Sequence, residues 1–191
     1  MRKRADLVST LKRGAADTGG AAAVELAIVS PLFVALLAAV ADLGGMALMR
    51  ANLSDAATAA AQHALSNAAS ASSSDGAQLA STLASLVANA RGQAWANATA
   101  VVNNGPSNTA ANGAASASGA PANADKYWCP TRSGSAVSWG LALPTSGLPC
   151  LSGGFSGKFV QITASRTYSP LILPSVISNG TVTITTMVQV Q

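Results

Sequence analysis

The sequence is poor in the side chains that carry out chemistry. Only 9% of its 191 residues are charged, against roughly 25% in a typical soluble domain, and 4% are aromatic. The chain has one histidine, His63, and one glutamate, Glu25. A catalytic set needs several such groups close together, so we assign no catalytic residue and do not expect an enzyme.

Cofactor, metal and nucleic-acid sites are not predicted either. No phosphate-binding glycine loop and no dinucleotide-binding fingerprint is present. Zinc takes four ligands, whereas the chain offers two cysteines and a distant histidine. The net charge of +4 is concentrated at the N-terminus, because residues 1–20 carry +3 and the remaining 171 residues carry +1. We therefore expect no nucleic-acid partner.

One long uncharged run follows this basic tail. Between Asp17 and Asp42 the only ionisable side chain is Glu25, and residues 26–41 contain none. A membrane-spanning helix needs about 20 apolar residues, which residues 21–41 supply. The positive-inside rule places the basic tail in the cytoplasm and everything after about residue 45 outside.

Three interpretations of this run compete. A cleaved secretory signal peptide has a shorter apolar run and a small-residue cleavage site after it, and no clear site of that kind is present here. A plain uncleaved anchor fits the length and the charges. The third interpretation rests on the residues just before the run.

A glycine precedes the apolar run and a glutamate follows five places later, in the order Gly20, Ala21-Ala22-Ala23-Val24, Glu25. This arrangement resembles a type IV prepilin cleavage site. The wider stretch GGAAAVELAIVSPLF is similar to the TadE-like family of tight-adherence (Flp) pilus pseudopilins, and Pro31 fits the proline of that pattern. Leu26 stands where the family usually has an aromatic residue. The resemblance covers roughly residues 14–65.

The resemblance implies a function and a set of partners. Gly20 would be the residue that a prepilin peptidase requires, Ala21 the new N-terminus, and Glu25 a guide for subunit entry. The expected partners are the prepilin peptidase, the pilus assembly platform, other pilin subunits and the bacterial inner membrane. The expected roles are pilus biogenesis, adhesion and biofilm formation.

Elementary physical chemistry also predicts what Glu25 and Pro31 would do in a membrane helix. A carboxylate in the apolar part of a membrane helix costs several kcal/mol unless it has a partner. Cleavage after Gly20 would create an α-amino group on Ala21 that Glu25 could neutralise, in its own chain or in a neighbour. The alternative is a solvated Glu25 at the lipid headgroups. Pro31 removes one backbone hydrogen bond and should kink the helix.

The helical period continues beyond the membrane. Apolar residues from Met46 to Leu65 recur three and four apart, which predicts one continuous helix over about residues 21–68. Asp75-Gly76 marks a turn, and a short helix follows from Leu79 to Ala90. Residues 91–102 show no clear period, although Val101-Val102 is compatible with a strand. The stretch 103–126 is rich in Asn, Ala, Ser and Gly, and we expect an exposed low-complexity loop there.

The C-terminal third predicts a disulfide and a sheet. Cys129 and Cys150 flank a segment rich in Gly, Pro and Ser, and outside the cytoplasm they should form a disulfide. Residues 160–168 and 182–190 alternate apolar and polar side chains and are rich in β-branched residues, which predicts two strands. One face of these strands can cover the outer half of the long helix. We therefore expect an α+β, pilin-like fold, in which a long N-terminal transmembrane helix packs on a small C-terminal antiparallel sheet.

These expectations divide the chain into five regions: a cytoplasmic leader at 1–20, a transmembrane helix at 21–45, an extracytoplasmic helical region at 46–102, the loop at 103–126, and a disulfide loop with a β-rich region at 127–191. The function they favour is that of a minor pilin in a tight-adherence type IV pilus system. The alternative is an uncleaved single-span envelope protein whose outer domain binds a ligand, which would need neither Gly20 nor Glu25.

Overall fold

The computed structural model describes residues 18–134, 136–151, 153–170 and 180–191. Helix α1 spans Thr18–Ser66 and helix α2 spans Gly76–Ala88. The strands are β1 (Asn97–Val102), β2 (Ser107–Ala111), β3 (Ala114–Ser118), β4 (Thr131–Ser133), β5 (Ala136–Ser138), β6 (Phe159–Tyr168) and β7 (Gly180–Gln189). Short 3-10 helices occupy Ala68–Ser70 and Pro121–Asp125. The described residues fall into two compact units, divided between Gly44 and Gly45.

Helix α1 is continuous over 49 residues, as its sequence predicts. At about 1.5 Å per residue it is roughly 70 Å long. Pro31 lies inside the helix without ending it. The kink expected at Pro31 stays a prediction.

The core of the unit that begins at Gly45 is built from small side chains. Helix α1 contributes a stripe at helical period and helix α2 contributes a second one. These stripes and one face of the sheet form a single buried cluster, whose larger members include Leu53, Leu79, Leu83, Val160 and Ile162. Most of the other members are alanine, which lets the helices and the sheet approach closely.

The sheet has five antiparallel strands in the order β3-β2-β1-β6-β7. The two predicted C-terminal strands are β6 and β7, which pair over ten residues from Phe159↔Gln189 to Tyr168↔Gly180. Alternate residues of β6 are buried in the core, and Val182, Ile184 and Val188 of β7 pack against it. The predicted α+β fold, with the long helix packed on an antiparallel sheet, is confirmed.

Close packing between helix and sheet depends on a glycine at the start of this unit. A Cβ atom at Gly45 of α1 would lie 2.9 Å from the hydroxyl oxygen of Tyr168 in β6. That distance is shorter than ordinary van der Waals contact, so a larger residue would require the ring or the helix to move.

The stretch 103–126 is not the exposed loop that its composition predicts. Strands β2 and β3 and the second 3-10 helix lie within it. Strand β1, at the end of the region 46–102, is also part of the sheet, with β2 on one side and β6 on the other. The prediction was wrong because it counted only the apolar area that such residues can bury. In the structure, this stretch is ordered instead by two kinds of contact. One is hydrogen bonding to a buried asparagine, and the other is pairing of the backbone.

That asparagine is Asn103, whose side chain is fully buried. Its Nδ2 donates to the carbonyl oxygens of Ala124 at 2.8 Å and Lys126 at 2.6 Å. Its Oδ1 accepts from the backbone N–H of Phe159 at 3.1 Å, and its own N–H donates to the carbonyl of Phe159 at 2.7 Å. One side chain thus joins the end of β1, the 3-10 helix and the start of β6.

The turn between β2 and β3 has a sequence signal of its own. Asn112 and Gly113 both have positive φ, at 51° and 80°. This pair is the commonest two-residue hairpin turn, because both residues tolerate that backbone conformation.

The described residues of the disulfide region, 127–134, 136–151 and 153–157, are held by backbone pairing and by Trp128. The disulfide joins Cys129 to Cys150, as expected. Trp128 is buried, its backbone pairs with that of Gly157, and its ring meets Trp139 edge to face at 6.5 Å. The ammonium group of the nearby Lys158 donates to the carbonyl of Ala71 at 2.9 Å.

We predict that Asn103→Gly lowers the free energy of unfolding by about 3 kcal/mol, because it removes the buried hydrogen bonds and leaves two carbonyls and an N–H unpaired. Glycine keeps the positive φ of 52° at this position, so backbone strain does not enter. Asn104→Gly is the matched control, because Asn104 has a φ of 53°. Denaturant unfolding followed by tryptophan fluorescence measures both variants. Equal destabilisation by the two would show that the side chain of Asn103 is not the link.

We also predict that reducing the disulfide lowers the free energy of unfolding by about 3 kcal/mol, the value for closing a loop of this size in the chain-entropy model. The measurement is denaturant unfolding with and without dithiothreitol. The double variant Cys129→Ala, Cys150→Ala is the control and should not respond to the reductant. A wild-type midpoint that is unchanged on reduction would contradict the stabilising role.

Candidate processing and assembly site

The predicted processing residues lie in the first turn of helix α1. Gly20 is the third residue of the helix, it is exposed, and nothing lies within 4 Å of the position that a Cβ atom would take. Cleavage after Gly20, if a peptidase acts there on an extended backbone, would require this turn to unwind. Unwinding at a helix end costs less than in the middle, because the terminal N–H groups have no helical partner to lose.

Ala21 and Glu25 are four residues apart in the same helix. This spacing places two residues on one face, one turn apart. Glu25 is exposed, and α1 has no acidic residue in its first turn. A free α-amino group at Ala21 would therefore lie one turn from a carboxylate of opposite charge, at the helix end where the helix dipole also favours an anion.

Glu25 is surrounded by an apolar helix surface. Between residues 22 and 37 all side chains of α1 are exposed, including Leu26, Val29, Leu32 and Phe33. Among the described residues, α1 is the one helix that is long and apolar enough to cross a membrane, by length and composition. This surface would be costly to keep in water, since exposed apolar area costs about 25 cal/mol per Å². The exposed apolar surface of α1 therefore indicates a single-pass membrane protein.

The other predicted site residues lie apart in the sequence. Pro31 follows Glu25 by almost two helical turns and is exposed on the same apolar segment. Cys129 and Cys150 belong to the unit that begins at Gly45, where they form the disulfide already described.

The described part of the chain contains no group of three or more His, Cys, Asp or Glu side chains that could hold a metal ion. His63 lies near the end of α1, where its Nε2 is 3.3 Å from the Nδ2 of Asn67. Asp125 accepts from the backbone N–H of Ser73 at 2.9 Å, and hydrogen bonds from Ser73 hold the pKa of this carboxyl below its ordinary value. These contacts link neighbouring segments.

Sequence reasoning missed one surface feature beside the disulfide. Four large apolar residues are exposed there, and we name them the disulfide patch: Leu141, Leu148, Leu151 and Phe155. They fall in a segment without strand or helix periodicity, so no pattern singled them out. The signal available was composition, because no acidic residue occurs after Asp125.

Comparison with known families gives a match to this helix. Residues 20–62 match the model of a family described as TadE-like protein. No similar curated protein and no similar solved structure was found. The match and the long apolar helix together fit a membrane-anchored protein related to tight-adherence pili. The resemblance inferred from the sequence is confirmed, and the chain carries a TadE-like segment that begins at Gly20.

Proposed function

We propose that this chain is a minor pilin, or pseudopilin, of a tight-adherence type IV pilus system, and that a prepilin peptidase cuts it after Gly20. The observation that carries the proposal is the TadE-like match, which starts at Gly20 and runs along one unbroken helix through Glu25. A family whose members are associated with pili also favours a structural role over an enzymatic one.

The proposed path begins with insertion into the inner membrane. The basic residues of the leader hold the N-terminus in the cytoplasm, and the unit that begins at Gly45 is exported. Cleavage then removes residues 1–20 with their net charge of +3. The helix that stays then begins with one new positive charge at Ala21, and Glu25 carries the one negative charge between residues 21 and 41.

Assembly follows from the surface that remains. In lipid, the exposed apolar segment of α1 can pack against the helices of other pilin subunits, through small residues such as Ala22, Ala27 and Ala35 that allow close approach. A carboxylate in this segment is costly until it finds a cation. The α-amino group of its own chain or of a neighbouring subunit supplies that cation, so Glu25 favours docking in one register.

We predict that a cell with an active prepilin peptidase yields the chain without residues 1–20 and that Gly20→Val blocks this loss. A bulky side chain at the residue before the cut cannot enter a site built for glycine. Intact-mass measurement of the membrane-extracted protein shows the difference directly. Gly44→Val is the matched control, because Gly44 also lies in α1 with open space around the position of a Cβ atom.

The same mass measurement separates the two candidate functions. Full-length mass in wild-type protein, with the peptidase present and acting on another pilin, would favour the uncleaved envelope protein that binds a ligand. Loss of residues 1–20 in both valine variants would instead show that the cut does not depend on Gly20.

We predict that Glu25→Ala inserts and is processed normally but assembles poorly, because the carboxylate acts after insertion. Assembly is measured as the amount of the protein that co-purifies with sheared pili or with the other pilin subunits. Glu25→Gln keeps the shape of the side chain and should fail like Glu25→Ala, since the charge is the proposed cause. Normal assembly of Glu25→Gln would remove the ion pair from the mechanism.

A further inference from the structure

Strand β7 forms one open edge of the five-stranded sheet. The strand order is β3-β2-β1-β6-β7, and among the described residues β6 is the one strand that pairs with β7. Strand β7 is ten residues long, whereas β3 at the opposite edge has five. An edge strand presents backbone N–H and C=O groups that have no partner within the sheet. The long edge at β7 can therefore pair with another extended chain.

The hydrogen bonds of the sheet show which residues of β7 carry the open backbone groups. In an antiparallel pair, residues that bond to the partner strand alternate with residues that point away from it. The N–H of Asn103 at the end of β1 donates to the carbonyl of Phe159, so the odd-numbered residues of β6 face β1. On the other side of β6, the N–H of Val190 donates to the carbonyl of Lys158 at 2.9 Å, so the even-numbered residues of β7 face β6. The open groups therefore belong to the odd-numbered residues of β7: Thr181, Thr183, Thr185, Met187 and Gln189.

Strand β7 lacks the features that keep strand edges from pairing. Natural proteins protect an open edge with charged side chains, proline, a bulge or a short strand. Residues 180–191 contain no charged residue and no proline. From Gly180 to Gln189 the strand pairs with β6 residue for residue, without a bulge. The shortness of β3 protects the other edge, so the contrast indicates that another chain covers β7.

The side chains along β7 define the chemistry of that chain. On the core face, β7 carries apolar side chains that are half-buried against the core: Val182, Ile184 and Val188. On the opposite face Thr183 is exposed, and Thr185 is buried beside Thr163, with 3.4 Å between their hydroxyl oxygens. A strand beside β7 therefore needs apolar side chains on one face and small polar ones on the other, and it needs no charge.

A second copy of β7 does not suit this edge. Antiparallel pairing of two identical strands in one continuous sheet requires a two-fold axis perpendicular to the sheet. Such an axis reverses every element that lies along the sheet, and α1 packs on the sheet. The α1 helices of the two copies would then run in opposite directions, although both chains are inserted into one bilayer in the same orientation. This step rests on the membrane anchoring within the proposed function.

We infer that the open edge of β7 binds an extended, uncharged strand of a different protein chain, which becomes the sixth strand of the sheet. Main-chain hydrogen bonds to the odd-numbered residues of β7 supply the affinity in this mode of recognition. The alternation of apolar and hydroxyl side chains supplies the specificity and fixes which face of the added strand meets the core.

The test uses a fluorescently labelled peptide with the sequence of residues 159–165 as the probe. This part of β6 is uncharged, alternates apolar and polar side chains, and already fits the backbone of β7 from the other side. The full chain is reconstituted into vesicles of phosphatidylcholine, and binding is measured by fluorescence anisotropy against vesicles without protein. Amide hydrogen exchange locates the peptide, because binding should protect the odd-numbered residues of β7, whose even-numbered neighbours are already protected by β6.

A proline at the edge separates backbone pairing from other contacts. Thr183→Pro removes an N–H that points away from β6, so it should weaken peptide binding by about tenfold or more and leave the bonds to β6 in place. Thr183→Ala is the matched control, because it loses the hydroxyl but keeps the N–H, and it should bind like the wild type. If Thr183→Pro shifts the unfolding midpoint, the double variant Thr183→Lys, Gln189→Lys takes its place. This variant keeps every backbone group and protects the edge with charge.

Each outcome decides the inference. Peptide binding that is absent in the wild type, or equal in the wild type and a folded edge variant, overturns it. Self-association of the wild-type chain that the edge variant abolishes assigns β7 to pairing between copies, which also overturns it. Loss of the chain from the vesicles in an alkaline wash disproves the anchoring, and the argument against a second copy falls with it. Processing after Gly20 is read by mass and is independent of these results.

Discussion

Helix α1 has two different surfaces along one unbroken length. From residue 22 to residue 37 the apolar side chains of α1 face outward on all sides, whereas from Leu53 to Ala64 they lie on one buried stripe. The first arrangement requires lipid or other helices, and the second requires a sheet. Because no loop separates these two segments, a single helix supplies both the exposed apolar segment and one side of the core.

The alanine-rich core has a consequence for what stabilises the domain. Alanine contributes little apolar area, so burial at about 25 cal/mol per Å² offsets less of the ordering entropy than a core of leucine and phenylalanine would. The structure compensates with links that do not depend on area. Asn103 joins three segments, Lys158 reaches the carbonyl of Ala71, and the disulfide closes the loop that contains Trp139. In this domain, specific hydrogen bonds and a disulfide therefore compensate for the small apolar area that alanine side chains bury.

How much of the fold the sequence could predict depends on side-chain size. Helix α1 and strands β6 and β7 were predictable because Leu53, Val160 and Ile162 recur at clear periods. Strands β2 and β3 were missed because alanine, serine and asparagine carry little strand preference. The Asn112-Gly113 turn was the signal that could have located them. The role of Asn103 was beyond any local pattern, since its partners are about 20 and 56 residues away in the chain.

The candidate site residues also differ in whether a local sequence pattern predicts them. Gly20, Glu25 and Pro31 stand at fixed spacings in one helix, so a sequence pattern alone can predict them. The residues of the disulfide patch lie in a segment without helix or strand periodicity, so no local pattern predicts that they are exposed together. The family match ends at residue 62, before α2 and the sheet begin. The matched helix includes an exposed apolar segment that suits a membrane, whereas the sheet beyond it has to suit only a core of small residues. Many sequences meet that second requirement, which explains why the helix carries the recognisable pattern.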